Sequence, residues 1–258
     1  MNQRDTLLDQ LQGYLEYKKE EGFQTLELSP ETLAELKPAP EPKAAPAAKP
    51  AARRALATPA TGESTVVVTG KTLEEIEGQI RTCNACPLHS SRKNTVPGEG
   101  NPNQPDIMFI GEGPGANEDA QGRPFVGAAG QLLDKMIVAM GYTREEVFIA
   151  NIVKCRPPGN RIPLPKEMIA CTPYLKAQIA LIQPKLIVAL GKTAVEGLLN
   201  EKVAITRMRG TWKTYEGTDL MPTFHPAYLL RSPGKKREVW IDLQAALAKL
   251  GKTPPAKK

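Results

Sequence analysis

From about residue 71 onward the sequence predicts an α/β domain, a three-layer α/β/α sandwich around a central four-stranded parallel sheet. Two observations predict it. The apolar runs are continuous rather than alternating, as expected of strands buried on both faces, and helical patterns separate one run from the next. In such sheets ligands bind at the carboxyl ends of the strands, so the residues that fall there are the ones to read for function.

The first strand is Asp106–Gly111 (DIMFIG), bounded by Pro105 and a glycine-rich turn, and Gly130–Met140 reads as the helix after it. Val147–Val153 (VFIANIV) is the second strand and Lys166–Ile182 a long helix. Leu186–Leu190 (LIVAL) is the third, followed by a helix at Thr193–Leu199. Leu220–Phe224 is the fourth, before a loop and a last helix near Val239–Leu250. This places a domain at 71–252, with a basic tail at 253–258.

Ahead of it lies a different kind of chain. Of the 26 residues from 37 to 62, 16 are Ala or Pro and none is aromatic, so an extended linker over 37–70 is expected. Its basic residues could graze phosphates, or simply be solvated. Within residues 1–36, Leu7, Leu8, Leu11, Tyr14 and Leu15 recur at helical spacing. A second short helix is expected over 30–36, with Ser29 as N-cap and Pro30 at the first helical position. Helices so short are marginal alone, so this acidic segment is expected to dock on a protein partner or on the body.

The charge is divided unevenly. The 258 residues hold 34 Lys+Arg against 28 Asp+Glu, a net of +6, but residues 1–36 hold 3 basic and 8 acidic side chains. The remainder therefore holds 31 against 20, or +11, which points the body toward an anionic partner, nucleic acid ahead of membrane. No run approaches the length of a membrane span and no secretory signal is recognisable, so a cytoplasmic location is expected.

At the strand ends stand Gly111-Glu112-Gly113-Pro114-Gly115, then Asn151, and then Phe224-His225-Pro226, with Arg123-Pro124-Phe125-Val126-Gly127 downstream of the first loop. Taken singly, Glu112 could cap a turn, Phe125 could be core and His225 structural. Asn151, inside an apolar strand, needs a partner, because an unsatisfied buried amide costs about 1–3 kcal/mol. Together Asn offers a donor and an acceptor, His a donor and Phe a flat face, which suits a flat heterocycle with amide-like edges. No Gly-x-x-x-x-Gly-Lys-Ser/Thr occurs, so a nucleoside triphosphate loop is excluded. Gly111-x-Gly113-x-x-Ala116 fits the dinucleotide fingerprint loosely, but the second strand lacks the acidic residue that would hold a ribose.

Cys83 and Cys86 form C-x2-C before Pro87, and Cys155 and Cys171 follow far downstream. Four thiolates suit one four-coordinate site, a [4Fe–4S] cluster or a structural zinc. The missing second C-x2-C and the Cys-Pro ending favour the cluster, in a structural role; His89 is a competing ligand.

In order, these motifs resemble the family 4 (iron–sulfur) uracil-DNA glycosylases: Gly111 to Gly115, Glu118-Asp119, Arg123 to Gly127, Asn151 to Pro158 (NIVKCRPP), and His225 to Leu230. The likeness runs from about Thr72 to Leu250 and leaves residues 1–70 uncovered. It implies the glycosylase fold, a [4Fe–4S] cluster on Cys83, Cys86, Cys155 and Cys171, and excision of uracil from DNA, single- or double-stranded; a monomer is the default expectation for an enzyme that scans DNA. A base of this kind must leave the stack to be reached.

By the same resemblance, Phe125 stacks on the uracil ring, Asn151 bonds its polar edge, and Glu118 fills space beside C5, where thymine carries a methyl. Gly113 lines the uracil pocket, His225 donates to O2 of the departing base, and Glu112 stabilises the oxocarbenium-like sugar or orients water. Better-known uracil glycosylases carry an Asp in this loop, where Gly113 follows Glu112 here. A related group that traps DNA covalently has a basic insertion ending in His, absent from Pro158–Pro163, so ordinary turnover is expected. Leu229 and Leu230, ahead of Arg231, Lys235, Lys236 and Arg237, suit an apolar wedge flanked by phosphate contacts. The competing readings are a non-catalytic reader of damaged or uracil-containing DNA and a small-molecule enzyme.

Overall fold

The computed structural model describes residues 66–255, all of which belong to one compact unit, Thr58–Lys258. The segment read as an acidic helical head and most of the linker lie outside the described residues, as do the last three residues of the tail. No helix among the described residues is long and apolar enough to cross a membrane.

Six strands form one sheet: β1 (Glu99–Gly100), β2 (Ile107–Gly111), β3 (Phe148–Asn151), β4 (Leu186–Leu190), β5 (Lys213–Tyr215) and β6 (Thr218–Thr223), in the order β1-β3-β2-β4-β6-β5. The four inner strands, β3, β2, β4 and β6, are parallel, as the sequence predicts. The outer two are antiparallel additions that the sequence reading did not place. Both are too short to carry an apolar pattern. The β5–β6 hairpin turns on Glu216 and Gly217, both at positive φ (47° and 83°), the conformation of a type I′ turn.

Helices α1 (Leu73–Thr82), α4 (Pro165–Ile182) and α5 (Lys192–Leu199) contribute Ile76, Ile80, Leu175, Ile179 and Val195 to one core. It closes over Met108, Ile110, Ile187 and Ala189 of the sheet. On the opposite face α3 (Ala128–Ala139) and α8 (Lys236–Lys249) place Leu133, Ile137, Val239 and Leu243 over Ile107, Phe109 and Val188. Successive strand residues thus enter opposite cores, and this is why the strand sequences are apolar throughout. The remaining helices, α2 (Ala116–Gln121), α6 (Ile205–Met208) and α7 (Pro226–Arg231), are short, and α2 and α7 lie in the segments that follow strand ends.

Register decides what meets at the carboxyl edge. Gly111 pairs across from Asn151, and Leu190 from Thr223. The chain therefore leaves β2 at Glu112, β4 at Gly191 and β6 at Phe224-His225 side by side with Asn151.

Candidate active site

Asn151 ends β3 with 1% exposure, and its side-chain oxygen Oδ1 has no hydrogen-bond partner. Gly111 on the neighbouring strand leaves the space in front of it. A Cβ at position 111 would come within 2.5 Å of both Asn151 Oδ1 and Phe125 Cζ. The amide and the aromatic ring thus converge on one point, and only a residue without a side chain can stand between them.

Phe125 is held in a left-handed conformation, φ 50°, uncommon for a bulky residue. Three things impose it. Arg144 donates to the carbonyl of Pro124 and also bonds Glu99 and Asp134, clamping the turn to β1 and α3. Gly130 admits the turn onto α3, since a Cβ there would lie 1.9 Å from the Phe125 carbonyl oxygen. Glu118 closes the third side: its Oε1 accepts from the backbone N–H of Val126 and Gly127, both at 2.9 Å, and its Oε2 from that of Gly115 at 3.1 Å. Glu118, expected only to fill space beside a bound base, is therefore also the brace between the glycine loop and the Phe125 turn.

His225 faces Phe125, ring centroids 5.6 Å apart and planes 29° from parallel. It N-caps α7, where its Nδ1 accepts from the Ala227 N–H at 3.1 Å. That bond fixes the neutral tautomer with its proton on Nε2, the nitrogen left for a ligand. Burial, reinforced by the like charge of Arg231, lowers its pKa to about 4, so the ring is a neutral donor at pH 7.

Glu112 follows β2, and its Oε2 accepts a 2.6 Å bond from the Thr193 hydroxyl. Burial raises the pKa of this carboxyl above the ordinary range, and the Thr193 bond opposes the rise. Gly113 is hemmed in by Val153, whose Cγ2 would lie 2.7 Å from a Cβ there, with Pro157 and Pro163 beyond at 3.8 Å. The loop after β3 thus closes over the glycine turn.

The segment expected to touch DNA divides. Leu229 is 1% exposed and belongs to the core with Leu133 and Leu243, so it cannot act as a wedge; one helical face of α7 points inward and takes it along. Leu230, the next residue, is 46% exposed. Arg231, Lys236 and Arg237 are exposed, while Lys235 pairs with Glu238 at 2.7 Å.

Cys83, Cys86, Cys155 and Cys171 line one cavity, brought there by the end of α1, the turn after it, the segment after β3, and α4. Among the described residues no three Cys, His, Asp or Glu side chains form a ready single-ion site. The donor set nevertheless suits an anionic group. Arg92 donates to Cys155 Sγ at 3.1 Å and the Lys154 N–H to Cys171 Sγ at 3.3 Å. Lys154 lines the same cavity, and its ammonium is fully buried without a hydrogen-bond partner. Burial pushes the Cys171 thiol up to about 12 and raises those of Cys155 and Cys86, so ligation by positive metal is what would deprotonate them. His89 Nδ1 lies 2.8 Å from the Cys86 carbonyl oxygen.

Two contributors were not read from the sequence. Thr193 stands just past the carboxyl end of β4, in the first turn of α5, and its signal was the Gly191-Lys192-Thr193 turn there. Lys154 lies next to Cys155, and its place inside an apolar segment was the signal.

A doubly covered parallel sheet with a polar and aromatic cluster of Asn151, Phe125 and His225 at its carboxyl edge, and a cysteine-lined cavity, defines a nucleobase-binding class of protein. The chain belongs to the type-4 family of the uracil-DNA glycosylase superfamily. The superfamily description, "Uracil DNA glycosylase superfamily", matches residues 97–244. A type-4 uracil-DNA glycosylase of Thermotoga maritima is 48% identical over 180 residues, covering 67% of this chain and 92% of that protein. Those of Sulfurisphaera tokodaii and Saccharolobus solfataricus are 47% and 44% identical, covering 64% and 70% of this chain and 79% and 88% of their own.

Proposed function

We propose that the protein excises uracil from DNA by hydrolysing its N-glycosidic bond, leaving an abasic site for base excision repair. The observation that carries this reading is the orphaned Asn151 Oδ1, on which the Phe125 ring, stacked with His225, converges. Uracil offers an N3–H to that acceptor, a π-face to Phe125, and O2 to the Nε2–H of His225. As the bond to the sugar lengthens, negative charge gathers on O2, and a preorganised donor at such a point is typically worth about 3–4 kcal/mol. The sugar becomes positively charged, and the Glu112 carboxylate stabilises it or orients the attacking water. The base reaches this depth only when flipped out of the stack. Leu230 is suited to fill the gap it leaves, with Arg231, Lys236 and Arg237 on the flanking phosphates. The four cysteines hold a [4Fe–4S] cluster that ties α1 and α4 to the end of β3, with Arg92 and Lys154 balancing its charge. In this reading the enzyme acts as a monomer in the cytoplasm.

The test is an end-labelled oligonucleotide with one uracil, incubated with protein and then cleaved at abasic sites by alkali, beside a thymine control. Cleavage at uracil alone supports the proposal. Salt-sensitive DNA binding without cleavage would make the protein a reader of uracil instead.

A further inference from the structure

The turn after β4 touches both groups that the proposed reaction relies on. Gly191 has φ +88°, and a Cβ there would lie 2.9 Å from the Cβ of His225, so the backbone of this turn packs directly against the histidine. Two residues later the Thr193 hydroxyl donates to Glu112 Oε2 at 2.6 Å, joining positions 81 residues apart in sequence. Thr193 is 6% exposed and stands in the first turn of α5, two residues past its N-cap Gly191. Here it is committed to another element's carboxylate. A glutamate side chain has three rotatable bonds, and one short bond to a rigid helix terminus removes most of that freedom.

We propose that Thr193 is a positioning residue for base excision: its hydroxyl holds the Glu112 carboxylate in one orientation toward the reacting sugar. The inference rests on the role of Glu112 in the reading above. It makes the end of β4 a working part of the site rather than a scaffold, with one turn setting the placement of Glu112 through a side chain and of His225 through backbone contact.

The test is single-turnover uracil excision by the full-length protein carrying Thr193→Val, Thr193→Ser, Glu112→Gln, and Thr193→Val combined with Glu112→Gln. Valine keeps the shape and removes the donor, and serine restores the donor. The expected result is a rate at saturation lowered roughly 10- to 100-fold by Thr193→Val, the range spanned by a hydrogen bond to a charged group, with half-saturation within about twofold. Thr193→Ser should recover to within about threefold of the parent. In the Glu112→Gln background, Thr193→Val should change the rate by less than about threefold, since the group it positions is gone. Parent-like rates for Thr193→Val beside an impaired Glu112→Gln would overturn the positioning role. So would an equal loss from Thr193→Val in both backgrounds, the mark of a merely structural residue. Parent-like rates for Glu112→Gln would overturn the reading of Glu112, and the proposal with it. Should Thr193→Val fail to fold, Thr193→Ala carries the same comparison.

Discussion

Replacing Asn151 by leucine should stabilise the protein while abolishing its activity. The side chain is 1% exposed, Oδ1 has no partner, and the residue is flanked by Ala150, Ile152 and Val153, all fully buried. Leaving a buried acceptor unsatisfied costs about 1–3 kcal/mol, and leucine has the same branched outline without the polar atoms. Removing the penalty should therefore raise the melting temperature, by roughly 2–8 °C if 1–2 kcal/mol is recovered. The same change removes the acceptor for N3–H and the group that tells uracil from other bases, so excision should fall by at least about 100-fold. Calorimetry and single-turnover kinetics on one preparation measure both. A variant that loses activity and also melts several degrees lower would refute the reasoning. It would mean that Asn151 holds the fold together and that its oxygen was never waiting for a ligand. Asn151→Asp gives a companion result: the donor is exchanged for an acceptor, and uracil excision should be lost or shifted toward a cytosine-like edge.

The pH profile should rise through a carboxyl group above the ordinary Glu range, because burial raises Glu112 and the reaction needs it ionised; Glu112→Gln should remove that limb. No inflection should occur near 6.5, since His225 titrates at about 4. Because the unfolded chain binds that proton near 6.5 and the folded one only near 4, stability should diminish as pH falls through this window, by about 3 kcal/mol at most. Leu230→Ala should impair excision from duplex more than from single strands, and equal loss on both would remove its wedge role. The purified protein should be brown and contain roughly four irons per chain, and Cys171→Ser should lower both iron content and melting temperature. Iron-free protein with zinc bound would contradict the cluster.

The strands of the sheet were legible because burial on both faces leaves little room for polar residues: Leu186–Leu190 has the same bounds in sequence and structure. The edges were not, since β1 and β5 pair along one side only, and residues such as Glu99 and Lys213 reveal nothing of it. At the site, Asn151 stood out because it breaks a local rule, a polar group in an apolar strand, and the Gly111–Gly115 turn because three glycines in five residues let the backbone approach a ligand. Thr193 breaks none. Its partner lies 81 residues away, and only register brings the ends of β2 and β4 together. The inward turn of Leu229 was likewise invisible, because two adjacent leucines look alike until the helix face is fixed by packing.

The measurement that bears most directly on the whole account is a crystal structure of the protein with DNA carrying one uracil nucleotide whose sugar resists hydrolysis. The account predicts the base flipped into the pocket, stacked on Phe125, with N3 within hydrogen-bond distance of Asn151 Oδ1 and O2 within that of His225 Nε2. A uracil left in the duplex, or one bound with Asn151 Oδ1 still unpaired, would contradict it.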